Sequence, residues 1–262
     1  MRSDNSREQT QALIDSMNWH HSIDFGNGLT SKAHASLEQT NAFADALLGP
    51  LDLAEKSLLD IGAWNGAYSF EAKRRGAGRV VASDKFCWNH PAFRGRETFE
   101  LGRRLTDLDI DAHEIDVPFI TPDTVGVFDV VLFSGVFYHL FDPIHLTRQI
   151  SACARDVLIV ETHHDALDSA KPAMVFYPRS TLNGDGTNWW APNPHCMYEM
   201  LKEFGFTEIN YRSSPGFGGN SRGIYHAFRD RESMKKMGVK ETSDPWLSLE
   251  ISANRDSVFA PQ

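Results

Sequence analysis

Short apolar runs at residues 57–61, 79–83, 112–115, 128–133 and 157–160 recur through the middle of the chain, each of a length suited to a buried strand. Between them, residues 68–75, roughly 98–107, and 143–154 read as helices. Asp142-Pro143 is a good helix start, with an oxygen-bearing side chain at the cap and a proline in the first turn. Pro194 plays a similar part for a helix that ends at Gly205, a natural residue just past a helix terminus. Two further strands, 208–212 and 223–228, complete the pattern. Alternating strands and helices predict an α/β fold: a doubly wound, mostly parallel, seven-stranded sheet covered on both faces.

Upstream, residues 2–49 are helix-leaning and are divided by the turn signal Gly26-Asn27-Gly28. Downstream of residue 230 the chain is polar, with one anchor in Pro245-Trp246-Leu247. The expected organisation is an N-terminal helical extension or lid over 1–50, an α/β domain over 51–230 and a C-terminal tail over 231–262. At 262 residues, one substantial core is expected. The formal charge of −9 argues against a protein whose main task is gripping a polyanion, so nucleic acid is not the expected partner. Arg94, Arg96, Arg103 and Arg104 form a local basic group, read here as a solvated helix face. Cysteines 87, 153 and 196 are odd in number and unpatterned, which fits a reducing cytoplasm. No apolar run approaches a membrane span and no secretory signal opens the chain, so no membrane partner is expected. A homo-oligomer is compatible with the sequence.

The chemistry concentrates in Ser57-Leu-Leu-Asp-Ile-Gly-Ala-Trp-Asn-Gly66 and Val80-Val-Ala-Ser-Asp84. They read as a buried strand, a glycine-hinged turn into a helix, a second strand and an acid at its C-terminal end. Gly62 and Gly66 let the backbone approach a ligand, and the helix start points its free N–H groups at the crevice. Asp84 lies 24 positions after Asp60, near the spacing at which a carboxylate reaches a ribose diol. The turn is G-x-x-x-G and not G-x-G-x-x-G, and Trp64 would obstruct a pyrophosphate. A ribose without a phosphate fits better. S-adenosylmethionine is therefore the expected cofactor, and a nicotinamide dinucleotide ranks last.

In Asp60, Gly62 and Gly66 the chain resembles the class I S-adenosylmethionine-dependent methyltransferases, whose first motif is D-x-G-x-x-x-G. Three further segments resemble the subgroup of tRNA wobble-uridine (carboxy)methyltransferases and related small-molecule enzymes. These are Phe128-Asp-Val-Val-Leu-Phe-Ser-Gly-Val-Phe-Tyr-His139, Leu158-Ile-Val-Glu-Thr162, and Asn188-Trp-Trp-Ala-Pro192 leading into Met200-Leu-Lys-Glu-Phe-Gly-Phe206. The resemblance implies a Rossmann-like sheet in which the last hairpin inserts one antiparallel strand. It implies that Asp60 takes the cofactor's amino group, that Asp116 and Val117 contact the adenine edge, and that Ser134 and Gly135 pass beside the methionine portion. Asp60 could equally fix the glycine turn, and both roles are compatible. Trp64 either packs on the cofactor or plugs the core beneath it.

Methyl transfer from a sulfonium is one in-line displacement, so the protein must orient two ligands and, where needed, remove a proton. His139 is a candidate general base, set against a helix-entry histidine satisfied by a carbonyl. His163, followed by His164 and Asp165, is a second. A zinc site at His163-His164 or His20-His21 is disfavoured, because neighbouring residues rarely aim at one metal; no metal is expected. Trp189 and Trp190, costly to expose on a loop, either wall a substrate pocket or pack under the sheet edge. His21, Tyr138, His164, Trp189, Trp190 and Arg222 make up the expected substrate side.

One departure from the resembled subgroup changes the picture. Those enzymes hold the extra carboxylate of a carboxylated cofactor with an upstream lysine, a tyrosine of the Y-H pair and an arginine before the last strand. Tyr138 and Arg222 match two of these, but Trp19-His20-His21-Ser22 stands where the lysine would be. Losing one of three such contacts around a desolvated carboxylate is severe. Ordinary S-adenosylmethionine and a small-molecule acceptor, methylated at oxygen or nitrogen, are expected. The competing readings are a tRNA-modifying enzyme and a binding module that has kept the pocket without the catalysis.

Overall fold

Leu58, Leu59, Val81 and Ala82 are wholly buried, as strands covered on both faces require. The computed structural model describes residues 2–214 and 221–239, so the Pro245-Trp246-Leu247 anchor lies outside the described residues. The described residues of 1–49 and 53–119 form one compact unit, and those of 50–52 and 120–262 a second.

The first unit begins with α1 (Arg2–Asp15), the hairpin β1 (Asp24–Gly26) and β2 (Leu29–Thr30), and α2 (Leu37–Leu48). The Gly-Asn-Gly signal is the hairpin turn, with all three residues at positive φ. A reciprocal capping box starts α2: the Ser36 hydroxyl accepts from the Gln39 N–H, and the Gln39 amide oxygen accepts from the Ser36 N–H. Then follow β3 (Ser57–Ile61), α3 (Ala67–Arg74), β4 (Arg79–Asp84), the short α4 (Phe86–Asn89), α5 (Gly95–Thr106), β5 (Asp111–Glu114) and a 3-10 turn at Val117–Phe119. β3, β4 and β5 pair in parallel, with Asp60 opposite Ala82 and Ser83 opposite His113. Phe70 of α3 stacks on Phe99 of α5 at 5.9 Å. Gly102 makes room for this pair, since a Cβ there would lie 2.7 Å from the Phe70 ring.

The second unit comprises α6 (Pro122–Val125), β6 (Phe128–Ser134), a 3-10 turn at Phe137–His139, α7 (Pro143–Ser151), β7 (Ala154–His163), the hairpin β8 (Met174–Phe176) and β9 (Trp190–Pro192), α8 (Pro194–Glu203), β10 (Glu208–Ser213), β11 (Arg222–Phe228) and α9 (Arg231–Lys236). The predicted cap at Asp142 is present, accepting from the His145 N–H at 3.2 Å; ahead of Pro194 the cap is Asn193, which accepts from the Cys196 N–H at 2.8 Å. Gly205 ends α8 at φ 89°. β6 and β7 are parallel, and β11 lies antiparallel between β7 and β10. β7 continues past residue 160 through polar Glu161, Thr162 and His163. All three pair with β11, and Glu161 also with Ser134 of β6, so these residues keep strand geometry. The β8–β9 hairpin was not anticipated, because its three-residue strands are too short to show alternation.

Strands β5, β4 and β3 of the first unit and β6, β7, β11 and β10 of the second belong to one seven-stranded, mostly parallel sheet. The fold is the doubly wound Rossmann-like α/β class. Among the described residues no helix is long and apolar enough to cross a membrane.

Gly66 combines a left-handed backbone (φ 82°) with no space, since a Cβ would lie 2.7 Å from Phe99 and 2.9 Å from Phe70. Gly184 is also left-handed (φ 71°), with nothing within 4 Å. In chemical denaturation, Gly184→Ala should cost about 1–2 kcal/mol. Gly66→Ala should cost roughly 1–3 kcal/mol more, from overpacking added to the same strain. Equal losses would show that the Phe70–Phe99 pair yields freely.

Candidate active site

The turn after β3 is built by β4. The Gly62 and Ala63 N–H groups both donate to the Ser83 carbonyl, at 2.8 and 3.1 Å, and Gly66 donates back to Ala63 at 2.7 Å. Gly62, Trp64 and Gly66 all have positive φ. Asp84 completes the turn: one carboxylate oxygen accepts from the Trp64 N–H at 3.0 Å and the other from the Cys87 N–H at 2.9 Å. The backbone N–H groups of Trp88 and Lys85 also act on this carboxylate. Burial raises its pKa, against the backbone N–H bonds, which lower it.

Asp60 sits deeper. Its carboxylate accepts from the Ser69 hydroxyl at 2.6 Å, tying β3 to α3. Burial, opposed by the Ser69 bond and assisted by the nearby Asp84 charge, pushes its pKa up to about 7. The acid that holds the glycine turn by accepting its N–H is therefore Asp84, and Asp60 anchors the following helix. Asp116, half-exposed, accepts from the Val117 N–H at 3.0 Å and pairs with Lys85 at 3.7 Å. Val117 begins the 3-10 turn that follows β5.

Trp64 is enclosed from the N-terminal segment. The His20 ring stacks on its indole at 3.7 Å and 8°, and Phe93 lies 5.0 Å away. His21 bonds the wholly buried Asn65 through Nδ1 at 2.8 Å, and Asn65 donates to the His21 carbonyl at 3.2 Å. Burial, opposed by the Asn65 bond, lowers the His21 pKa to about 4. His21, expected on the substrate side, is thus engaged with the glycine turn. Asn65 was missed although it lies inside the motif, because the pattern leaves that position unspecified.

In the second unit, period-two alternation along β7 puts Glu161 and His163 on one face, with Arg222 of β11 paired opposite His163. Glu161, fully buried, takes the Arg222 guanidinium bidentately, through Nε at one oxygen and Nη2 at the other at 2.7 Å. Burial works against the Arg222 charge, yet Glu161 and Tyr138 hold its pKa above the ordinary arginine value. Arg222 Nη1 also donates to His163 Nε2 at 2.7 Å, and its guanidinium lies 4.9 Å from the Tyr138 ring centroid. Burial and the Arg222 charge drive the His163 pKa down to about 3. A lone pair already accepting from a guanidinium is a poor proton acceptor, which works against His163 as the base. Glu161 was quoted above only as part of a segment; an acid inside an apolar strand was its signal.

Ser134 ends β6 with its hydroxyl 3.4 Å from Glu161, and the Gly135 N–H donates to the Glu161 carbonyl at 3.1 Å. His164 does not join this cluster. It lies just past the end of β7, where Nε2 pairs with the Tyr225 hydroxyl at 2.7 Å, packed so closely that a Cβ at Gly223 would lie 2.2 Å from its ring. Expected on the substrate side, it is bonded here to β11. His139 ends the 3-10 turn, its Nδ1 2.9 Å from the Thr187 hydroxyl and 3.1 Å from the Thr187 carbonyl. The Trp189 N–H donates to the Tyr138 carbonyl, and Trp190 Nε1 to the Phe141 carbonyl at 3.3 Å. With Phe141 and Phe176, 74% and 47% exposed, the tryptophans form an open aromatic group.

Three of the four clustered arginines have acidic partners: Arg94, just before α5, pairs with Glu97, and Arg96 and Arg103 share Glu100.

A family model described as a methyltransferase domain matches residues 36–210, about two thirds of the chain. The tRNA U34 carboxymethyltransferase of Desulfotalea psychrophila is 26% identical over 162 residues, covering 61% of this chain and 48% of that protein. The enzyme of the same name from Cellvibrio japonicus is 24% identical over 208 residues, covering 77% and 60%. The chain spans about half the length of most of the curated relatives it matches. Among solved structures, the N-terminal domain of EvdMO1, crystallised with S-adenosylhomocysteine and D-fucose, superposes with a TM-score of 0.59 at 18% identity, covering 88% of this chain and 98% of that one. Magnesium protoporphyrin IX methyltransferase from Synechocystis PCC 6803 gives 0.52 at 15% identity, covering 74% and 79%. At such identities the structural likeness concerns the fold. The match to the family model across both the glycine turn and the Glu161–His163 strand carries the assignment: the chain belongs to the methyltransferase domain family.

Proposed function

We propose that this chain is an enzyme that transfers the methyl group of ordinary S-adenosylmethionine to a small-molecule acceptor, at oxygen or nitrogen, by in-line displacement. Asp84, bound to the glycine turn at the end of β4, takes the ribose hydroxyls. Asp60 lies toward the cofactor's amino group, Asp116 and Val117 toward the adenine edge, and Ser134 and Gly135 toward the methionine portion. The bound cofactor supplies the activated carbon. The chain's own residues orient the acceptor and hold the proton it loses, with His139 in that role and Tyr138, Trp189 and Trp190 on the acceptor side.

The acceptor reading is carried by one observation: the Arg222 guanidinium is already neutralised bidentately by buried Glu161. A cation so engaged is a weak receptor for a second carboxylate, because separating it leaves Glu161 buried and unpaired. That favours the uncarboxylated cofactor, in line with the absence of the upstream lysine. The names of the curated relatives favour a second reading, an RNA nucleotide modified with a carboxylated cofactor. The net charge of −9 weighs against it.

Three outcomes follow. Asp84→Ala should weaken S-adenosylhomocysteine binding by roughly 10- to 150-fold, the loss of a charged hydrogen bond worth about 1.5–3 kcal/mol. Unchanged calorimetric affinity in a folded variant would remove Asp84 from the site. Offered equal amounts of ordinary and carboxylated S-adenosylmethionine, the protein should retain the ordinary form by mass spectrometry; retention of the carboxylated form would restore the RNA reading. Asp60, with its pKa raised to about 7, is partly protonated at neutral pH. A cationic amino group docking on it stabilises the carboxylate and expels that proton. Calorimetry near pH 7 in buffers of different ionisation heat should therefore detect proton release on cofactor binding, absent in Asp60→Asn. Equal heats in all buffers would separate Asp60 from the amino group.

A further inference from the structure

The loop between β8 and β9 carries groups that the reaction described so far does not use. Asp185 accepts twice from Thr187, from its N–H at 2.8 Å and from its hydroxyl at 2.7 Å. The loop is braced from inside, where buried Asn188 donates to the Leu182 carbonyl at 3.1 Å. Thr187 presents two oxygens to His139 Nδ1, its hydroxyl at 2.9 Å and its carbonyl at 3.1 Å.

A hydroxyl has one proton, and Asp185 takes it. The Thr187 hydroxyl can then only accept from His139, as can the Thr187 carbonyl. Both therefore require a proton on Nδ1, and a neutral imidazole protonated there carries its free lone pair on Nε2.

We propose that Asp185 and Thr187 are positioning residues that lock His139 in the Nδ1–H tautomer, so that Nε2 accepts the proton lost by the methyl acceptor. The proposal rests on the reading of His139 as the base. In that step the acceptor atom bonds to the methyl carbon while the carbon–sulfonium bond breaks. Its electron pair stays on sulfur, and the acceptor's proton passes to Nε2 and later to solvent.

The charged and titratable groups around His139 act in both directions. Burial lowers its pKa, the Thr187 carbonyl and the Asp185 charge raise it, and the Arg222 charge lowers it. The Tyr138 ring lies 4.3 Å away, and the charge of His139 acts in turn on His163. Asp185 itself is held below the ordinary carboxylate range: burial raises it, but the Thr187 N–H and hydroxyl outweigh that. Those two donors favour its ionised form.

Nitrogen-15 NMR of the full-length protein labelled at histidine tests this without an acceptor, with His139→Gln identifying the resonance among 11 histidines. Wild-type His139 should be neutral at pH 7.5 with Nδ1 protonated. Thr187→Ser, which keeps the hydroxyl, should preserve that state. Thr187→Val and Asp185→Asn should each shift the tautomer ratio toward Nε2–H by about five- to tenfold, the worth of one ordinary hydrogen bond. Asp185→Asn should also lower the His139 pKa, since the lost negative charge favoured the imidazolium. Unchanged signals from the other histidines report that each variant is folded. An Nε2–H tautomer in the wild type, or an unchanged ratio in both loop variants, would overturn the proposal. Absence of S-adenosylhomocysteine binding to the wild type would overturn the methyl-transfer reading separately, leaving the tautomer measurement intact.

Discussion

The bond from the Trp64 N–H to the Asp84 carboxylate is the constraint on which the cofactor half depends. The glycine turn places Trp64 in the left-handed region at φ 47°, a conformation that a bulky residue adopts only when its surroundings hold it there. Asp84 supplies that hold from the end of β4, and the Ser83 carbonyl secures Gly62 and Ala63 beside it. With the backbone fixed, the Trp64 ring meets His20, and the neighbouring Asn65 meets His21. One carboxylate therefore determines the shape of the loop and, through it, the seat of the N-terminal segment.

In the second unit a different balance applies. A guanidinium and a carboxylate buried together at the end of β7 each pay a large desolvation cost, which their mutual attraction offsets only when the geometry is good. The bidentate Glu161–Arg222 pair has that geometry, and the Arg222 charge joins burial in lowering the His163 pKa. Removing either partner alone would strand the other charge. The pair thus sets the electrostatics around Tyr138 and His163 before any ligand arrives.

Much of this was legible in the sequence, for physical reasons that differ by residue. The strands at 57–61, 79–83 and 128–133 could be read because burial on both faces demands continuous apolar runs, and the helix starts at Asp142 and Asn193-Pro194 because caps have few chemical solutions. Asp84 was legible because its spacing from Asp60 reflects one strand–helix–strand unit. What escaped notice lies in pairings that no local pattern encodes. His21 finds Asn65 across 44 positions, and Glu161 finds Arg222 across 61. His163 and His164 read as one feature in sequence, yet His163 meets Arg222 and His164 meets Tyr225. Asp185 and Thr187 lie among the turn-forming residues Asn183-Gly-Asp-Gly-Thr187, which conceal any further role.

The most direct test of the account is a crystal structure of the protein bound to S-adenosylhomocysteine. The account predicts that both ribose hydroxyls lie within about 3.2 Å of the Asp84 carboxylate, with the Trp64 N–H bond to Asp84 still in place. A nucleoside bound with its ribose elsewhere, leaving Asp84 to bond the loop alone, would contradict it.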